Sequence, residues 1–230
     1  MNQSIKVIIP AYNEQDSIAN VINDIPSIVK EVIVISNNST DKTEENAKNA
    51  GATVLQENRK GYGYACLKGM EYISKQEKKP DIIVFLDGDY SDYPEQLIDV
   101  ITPIINNNID FVIGSRVKEL REQGSMTPQQ IFGNWLATSL MKLFFGAKFT
   151  DLGPFRAIKY DKLLSLNMVD KTYGWTVEMQ LKALKQKLSY IEVPMKYRNR
   201  IGVSKVSGTV KGSILAGIKI LGWIFKYSFK

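Results

Sequence analysis

An α/β domain with a mostly parallel sheet is expected from three features of the chain. Short apolar, β-branched runs recur as IKVII (5–9), EVIVI (31–35), ATVL (52–55), IIVFL (82–86) and DFVI (110–113). Longer helix-compatible stretches separate them, at 14–30, 40–50, 61–78 and 94–106. Continuous apolar strands alternating with helices describe a sheet covered by helices on both faces. The third feature is polar: Pro10 to Glu14, Asn37 to Ser39 and Asp87 to Asp89 each follow a strand's carboxyl end. Ligands gather at such ends in open parallel sheets, so the three clusters are expected to form one site.

Local chemistry supports the elements in order. Ser39 or Thr40 can cap the helix that follows, and Asp41, Glu44 and Glu45 suit its first turns. Pro94 and Glu95 suit a first helical turn, with Asp92 as the candidate cap before it. Residues 128–145 read as a helix, with Ile131, Phe132, Trp135, Leu136, Leu140, Leu143 and Phe144 near helical spacing. PFRAIK (154–159) and YIEVPMKY (190–197) read as strands on either side of a helix near 175–187. No linker, repeat or low-complexity segment divides the chain. Residues 1–205 are therefore expected to form one domain, followed by a basic amphipathic helix over 206–230.

Composition narrows the chemistry. The 230 residues are 44% hydrophobic and 23% charged, which suits one domain with a sizeable core. There is no histidine, which excludes Ser-His-Asp triads, His-ligated zinc and His general bases. Cys66 is the one cysteine, so no intrachain disulfide forms and a reducing, cytoplasmic setting fits. No apolar stretch of signal length stands at the N-terminus, and no window reaches the ~20 apolar residues of a membrane span. The net charge of +6 is uneven: from Lys185 onward ten Lys/Arg face Glu192 alone. Such a basic segment suits an anionic partner, whether lipid headgroup, phosphorylated substrate or nucleic acid, although a solvated surface explains it too. No helix-turn-helix or RNA-recognition signature is present, so nucleic acid is not expected.

The sharpest feature is IIVFLDGDYSDYPE (82–95), where Asp87, Asp89 and Asp92 crowd the end of an apolar strand. Asp-x-Asp offers hard oxygen ligands for Mg²⁺ or Mn²⁺, an ion that completes its shell with water and substrate phosphates. The plain alternative is a strand end that caps the next helix. Under the metal reading the missing counter-charge comes with the ion rather than from the chain.

The chain resembles the family-2 inverting glycosyltransferases, and most closely the dolichyl- and polyprenyl-phosphate sugar synthases. The matching pieces run in order: VIIPAYNE (7–14), EVIVISNNSTDKT (31–43), NRKGYGYACLKGM (58–70), VFLDGDYSDYPE (84–95), VIGSR (112–116), TDLGPFRAIK (150–159), GWTVEMQLKA (174–183) and YIEVPMKYRNRIGVSKVSG (190–208). The resemblance implies a GT-A-type nucleotide-diphospho-sugar transferase fold. It also implies donor binding by Pro10, Ala11, Tyr12, Glu14, Asn38, Lys60, Asp87 and Asp89, with Asp89 on the metal. Asn38 stands where the family more often has Asp. An amide donates as well as accepts, so the choice between uracil and guanine stays open.

On the acceptor side, Asp151 and Glu178 match acidic positions of the family and are the candidate catalytic groups, as base or as acceptor-positioning residues. A hydroxyl acceptor needs a base, whereas a phosphate monoester is already largely ionised at neutral pH. Arg116, Arg156, Arg200, Ser204 and Lys205 are the candidate phosphate and acceptor ligands. The tail GSILAGIKILGWIFKYSFK pairs an apolar circumference with spaced lysines, as an interfacial helix does; packing on the domain or on a second subunit is the alternative.

The combined expectation is an inverting, metal-dependent hexosyltransferase. It would move a sugar from a UDP- or GDP-linked donor to polyprenyl phosphate, in peripheral contact with the inner face of the cell membrane. A soluble hydroxyl or glycan acceptor is the enzymatic alternative. A non-catalytic binding protein on the same fold is the alternative of another class.

Overall fold

The computed structural model describes residues 3–203 and 210–228. Seven strands form one sheet: β1 (Ile5–Ala11), β2 (Val29–Ser36), β3 (Thr53–Gln56), β4 (Ile82–Phe85), β5 (Phe111–Ser115), β6 (Arg156–Lys159) and β7 (Tyr190–Pro194). Their order is β3-β2-β1-β4-β6-β5-β7. Every pairing is parallel except those of β6, which runs antiparallel to both β4 and β5. This reversal matters for the site. Arg156, the first residue of β6, pairs with Phe85 and Ile113, so the segment preceding β6 reaches the carboxyl edge where Asp87 lies.

The central strands β1, β4 and β5 are apolar because both faces are covered. On β1, Ile5, Val7 and Ile9 join one core, while Ile8 joins Ile33, Ile35 and Phe85 in the other, as the two-residue period of a strand requires. Each fully buried aliphatic side chain contributes roughly 1.5–3 kcal/mol of transfer free energy. The helices are α1 (Ile18–Asn23), α2 (Thr43–Asn49), α3 (Tyr62–Lys75), α4 (Leu97–Asn107), α5 (Pro128–Phe145), α6 (Tyr160–Ser165), α7 (Trp175–Lys185) and α8 (Val210–Ser228). Helix α3 lies close on the sheet at Gly69, where an added Cβ would stand 2.9 Å from Ile8 Cγ2.

Several local expectations change. Helix α1 ends at Asn23, well short of residue 30, because Pro26 follows. Neither Ser39 nor Thr40 caps α2. Instead the Asp41 carboxylate accepts the Thr43 N–H at 3.0 Å, and Ser39 Oγ accepts the Asn13 N–H at 3.1 Å. Asp92 is no cap either: Tyr93 occupies that position, before a 3₁₀ turn at Pro94–Gln96 that leads into α4. Helix α5 begins and ends as expected, between a Thr127–Gln130 capping box and Gly146 at φ 63°. Its apolar residues are another matter. Phe132, Trp135 and Leu143 are 60%, 59% and 74% exposed, and only Ala137, Thr138 and Met141 are buried.

Helix α8 packs on α5 and α7. One polar anchor fixes it. The Asp170 side chain, fully buried, accepts the Trp223 indole N–H at 2.7 Å and lies 3.3 Å from Lys219 Nζ. Its other oxygen accepts the backbone N–H groups of Thr172 and Gly174 at 2.7 and 3.0 Å. Gly174 is required here, since a Cβ would meet the Trp223 ring at 2.4 Å. Trp223→Phe removes one bond to a buried carboxylate and should lower stability by about 1–3 kcal/mol in urea denaturation.

Candidate active site

Two cavities meet at the carboxyl edge of the sheet. The first, of about 300 Å³, is walled by Pro10, Ala11, Tyr12, Glu14, Asn37, Lys60, Gly61, Tyr62, Asp87, Gly88, Asp89, Tyr173 and Arg200. Seven of the eight expected donor residues lie on it. The exception is Asn38, which is exposed and off the wall, at φ 67°; its neighbour Asn37 takes the buried place. All of the Asn37 amide is committed: it donates to the carbonyls of Glu57 and Arg59 at 2.9 and 2.8 Å and accepts the Gly61 N–H at 2.8 Å. Asn37 therefore shapes the loop that carries Lys60, whose ammonium stands 5.9 Å from the Tyr12 ring centre. Glu57 holds the same loop through Arg59, and that pairing pulls its carboxyl down to about 2.

The crowded carboxylates have an internal counter-charge, contrary to the expectation that it comes only with a metal. Arg200 reaches Asp89 Oδ2 at 3.0 Å and Glu14 Oε1 at 3.2 Å, tying the first loop to the third. Asp89 Oδ1 accepts the Ser91 N–H at 2.9 Å and hydroxyl at 2.5 Å. Asp87 is less well compensated. Desolvation and then the neighbouring Asp89 push its carboxyl up to about 6, and its Oδ1 has no hydrogen-bond partner among the described residues. Asp92, buried behind them, is driven well above the carboxylate range by burial and by Asp87 and Asp89. No cluster of three or more Asp, Glu or Cys suited to a metal exists among the described residues. The donor set still fits a hard divalent ion of the kind that takes one or two carboxylates and completes its shell with phosphate. Asp89, with the orphaned Oδ1 of Asp87 beside it, would hold such an ion.

The second cavity, of about 370 Å³, shares Tyr62, Asp87, Asp89, Tyr173 and Arg200 with the first. Arg116 adds a further cation, Leu136, Leu152, Ile220 and Leu221 supply apolar wall, and Gln129, Gln130, Asn134 and Ser213 add polar groups, so that the lining is largely but not wholly apolar. Arg116 follows β5 and is held by Asp151 in a two-pronged pair, Nε to Oδ2 at 2.8 Å and Nη2 to Oδ1 at 2.6 Å. Burial alone would raise the Asp151 carboxyl, but Arg116 keeps it below its ordinary value. With both oxygens occupied and the pKa lowered, Asp151 is poorly suited to remove a proton; its geometry is that of a support for Arg116.

Glu178 is off both cavities. It is fully buried, accepts the N–H groups of Val169 and Asp170 at 3.0 and 2.7 Å, and pairs with Lys182 at 2.7 Å. Arg156 is fully buried as well and faces no phosphate site. Its guanidinium donates to the carbonyls of Leu152, Gly153 and Thr176, and burial lowers its pKa to about 10. It fixes the turn before β6, which explains why an arginine stands in that motif. Ser204 and Lys205 lie outside the described residues.

Sequence reasoning missed the segment joining the two cavities. The carbonyls of Lys171 and Thr172 accept the Tyr64 and Gly63 N–H groups at 3.1 and 3.3 Å, at the start of α3. Added Cβ atoms at Gly61 and Gly63 would stand 2.1 Å from the carbonyl oxygens of Lys171 and Asp170. Tyr173 on this segment lines both cavities, and Asp170 anchors α8 to it. The Gly61-Tyr62-Gly63 spacing was the available signal, because alternate glycines mark a close backbone approach.

Comparison with known proteins accords with this geometry. The model of Glycosyl transferase family 2 matches residues 6–165, spanning strands β1 to β6. A UDP-N-acetylglucosamine–dolichyl-phosphate N-acetylglucosaminyltransferase of Methanococcus voltae is 31% identical over 214 residues, covering 84% of each chain. A dolichyl-phosphate hexose transferase of Haloferax volcanii is 27% identical over 92% of this chain and 90% of its own. A hexosyltransferase of low-salt glycan biosynthesis from the same organism is 27% identical over 91% of this chain, which spans about half (51%) of that relative's length. Among solved structures, glucosyl-3-phosphoglycerate synthase of Mycobacterium tuberculosis, in complex with Mn²⁺, uridine diphosphate and phosphoglyceric acid, superposes with a TM-score of 0.78. The superposition covers 98% of this chain and 78% of the other at 21% identity, a likeness of GT-A fold. Given the family match over most of the sheet and the carboxylate site at its edge, this chain belongs to glycosyltransferase family 2.

Proposed function

We propose that this glycosyltransferase moves a hexose from a nucleoside diphosphate sugar, UDP- or GDP-linked, to polyprenyl phosphate at a membrane surface. The observation that carries this reading is the second cavity, which is cationic and carboxylate-rich where it meets the donor cavity and largely apolar in the rest of its lining. An amphiphile with an anionic head fits that polarity. The relatives named for dolichyl-phosphate transfer support the same class of acceptor.

The first cavity would hold the nucleotide, with Tyr12, Lys60 and the Asn37-supported loop around it. A divalent ion, Mg²⁺ or Mn²⁺, would be held by Asp89 with Asp87 and would offset the charge of the departing diphosphate. Arg200 stands between this position and Glu14, ready to hold phosphate oxygens in place of a carboxylate. Arg116, oriented by Asp151, presents a fixed cation to the acceptor phosphate. An acceptor phosphate is largely ionised at neutral pH, with a second pKa of about 6, so no strong base is needed. That agrees with Asp151 and Glu178 both being committed to other partners.

Membrane contact would use more than the tail. Phe132, Trp135, Leu143 and Phe144 of α5 and Ile214, Leu215, Ile218 and Phe225 of α8 are exposed, and Phe144 meets Phe225 edge-on at 5.9 Å. No helix among the described residues is long and apolar enough to cross a membrane. This surface suits peripheral attachment to an anionic leaflet on the cytoplasmic side. A second copy of the chain is the competing occupant, distinguished by concentration-dependent dimerisation without vesicle binding.

Three outcomes are expected. A panel of sugar donors crossed with prenyl phosphate and with soluble phosphates should label only the lipid fraction, and EDTA should abolish the label; label only in soluble product would refute the lipid acceptor. Asp151→Asn should act on acceptor KM, about tenfold, and leave the pH–rate profile in place, whereas loss of a general base costs roughly 10²–10⁴ in rate. Asp87 has a folded pKa of about 6 against an ordinary 3.8. The folded state therefore keeps a proton that the unfolded chain loses. The penalty is absent below the lower value, grows between the two and is complete above the higher one. Asp87→Asn should accordingly stabilise the metal-free protein at pH 7 by up to about 3 kcal/mol while abolishing transfer, and the gain should vanish in melts below pH ~4.

A further inference from the structure

Two glycines sit where helices least favour them. Gly133 lies inside α5 and Gly217 inside α8, and both line the second cavity. Glycine inside a helix is less stable than alanine unless the missing Cβ makes room for something. Here no heavy atom lies within 4 Å of the Cβ that either glycine lacks, so no packing within the described residues demands them. Gly222, also in α8 and equally free around its absent Cβ, does not line the cavity.

A second observation concerns the same cavity. Trp175 lines this cavity and is 1% exposed, with its ring edge-on to Phe85 at 5.8 Å. Its indole N–H has no acceptor among the described residues. A buried donor without a partner is costly, and a ligand oxygen would satisfy it. The same cavity carries Arg116 and Arg200.

We propose that Gly133 and Gly217 keep the α5–α8 groove wide enough for the apolar chain of a single lipid phosphate, and that the Trp175 indole N–H donates to its head. The proposal rests on the lipid-phosphate reading of the acceptor. The two glycines are then specificity determinants, and their cost to helix stability is retained because filling the groove would exclude the chain. The Asp170 anchor holds α8 at the required spacing, so the groove is a built feature of the packing.

The test compares Gly133→Leu, Gly217→Leu and Gly222→Ala in the full chain, with a short prenyl phosphate in detergent and glycerol phosphate as a chain-free phosphomonoester. Either leucine should raise the KM for the prenyl phosphate about tenfold or more, with donor KM within twofold of wild type. Gly133→Ala and Gly217→Ala should raise Tm by a few degrees, as should Gly222→Ala, which alone keeps wild-type prenyl phosphate kinetics. Trp175→Phe should raise the same KM and shift its dependence on the charge state of the head. Unchanged acceptor KM in both leucine variants, with wild type active on prenyl phosphate, would overturn the role of the glycines and leave the acceptor class standing. Equal loss of donor and acceptor binding, or lowered Tm in the alanine variants, would also overturn it, since the glycines would then serve the fold. Wild type that uses glycerol phosphate but no prenyl phosphate would overturn both the groove assignment and the acceptor reading beneath it.

Discussion

Arg200 is the interaction on which the site depends. Two strand ends, those of β1 and β4, deliver Glu14, Asp87 and Asp89 to one edge, and like charges in so small a volume repel. Arg200 bridges Glu14 and Asp89, and in doing so draws the segment after β7 to the wall of the first cavity. The backbone follows: Ile201 N–H donates to the Asp89 carbonyl at 3.0 Å and Arg198 N–H to that of Ser91 at 2.9 Å. Arg198 is clasped between the rings of Tyr90 and Tyr93, at 3.4 and 4.1 Å. The cation that offsets the carboxylates thus also closes the fold over them. Asp87 is left under-compensated, and that residual imbalance is the place for a further positive charge.

The remaining architecture supplies reach. A purely parallel sheet would send the segment before β6 to the opposite edge. With β6 reversed, Asp151 comes close enough to orient Arg116, and Arg156 can lock the intervening turn from beneath. Arg116 and Arg200, from the ends of β5 and β7, then face one space. The segment around Tyr173 joins this space to the first cavity through α3 and to α8 through Asp170.

Much of this was legible in the chain. The apolar runs located β1, β4 and β5 because strands buried on both faces carry no polar alternation to obscure them, and β2 and β3 through their β-branched residues. The acidic motif and the Tyr12–Glu14 loop were found because their chemistry is local. What escaped depends on contacts between distant residues. Arg200 lies 186 positions from Glu14, and no spacing rule connects them. Asp151 and Glu178 were read as acids in a site, yet acidity says nothing about whether the oxygens are already taken. Asn37 and Asn38 differ only in which side of a tight turn they occupy, and a one-residue shift decides between a cavity wall and solvent. Helix α5 showed its period clearly, but periodicity identifies an apolar face without naming what covers it.

The central claim is that Asp87 and Asp89 form half a metal site, balanced within the chain by Arg200 and completed by a nucleoside diphosphate. Calorimetric titration of Mn²⁺ with and without uridine or guanosine diphosphate tests it most directly. Weak binding of the ion alone, tightened about a hundredfold or more by one of the two nucleotides and lost in Asp89→Asn, is the expected result. Equal affinity with and without nucleotide, or binding that survives Asp89→Asn, would contradict it.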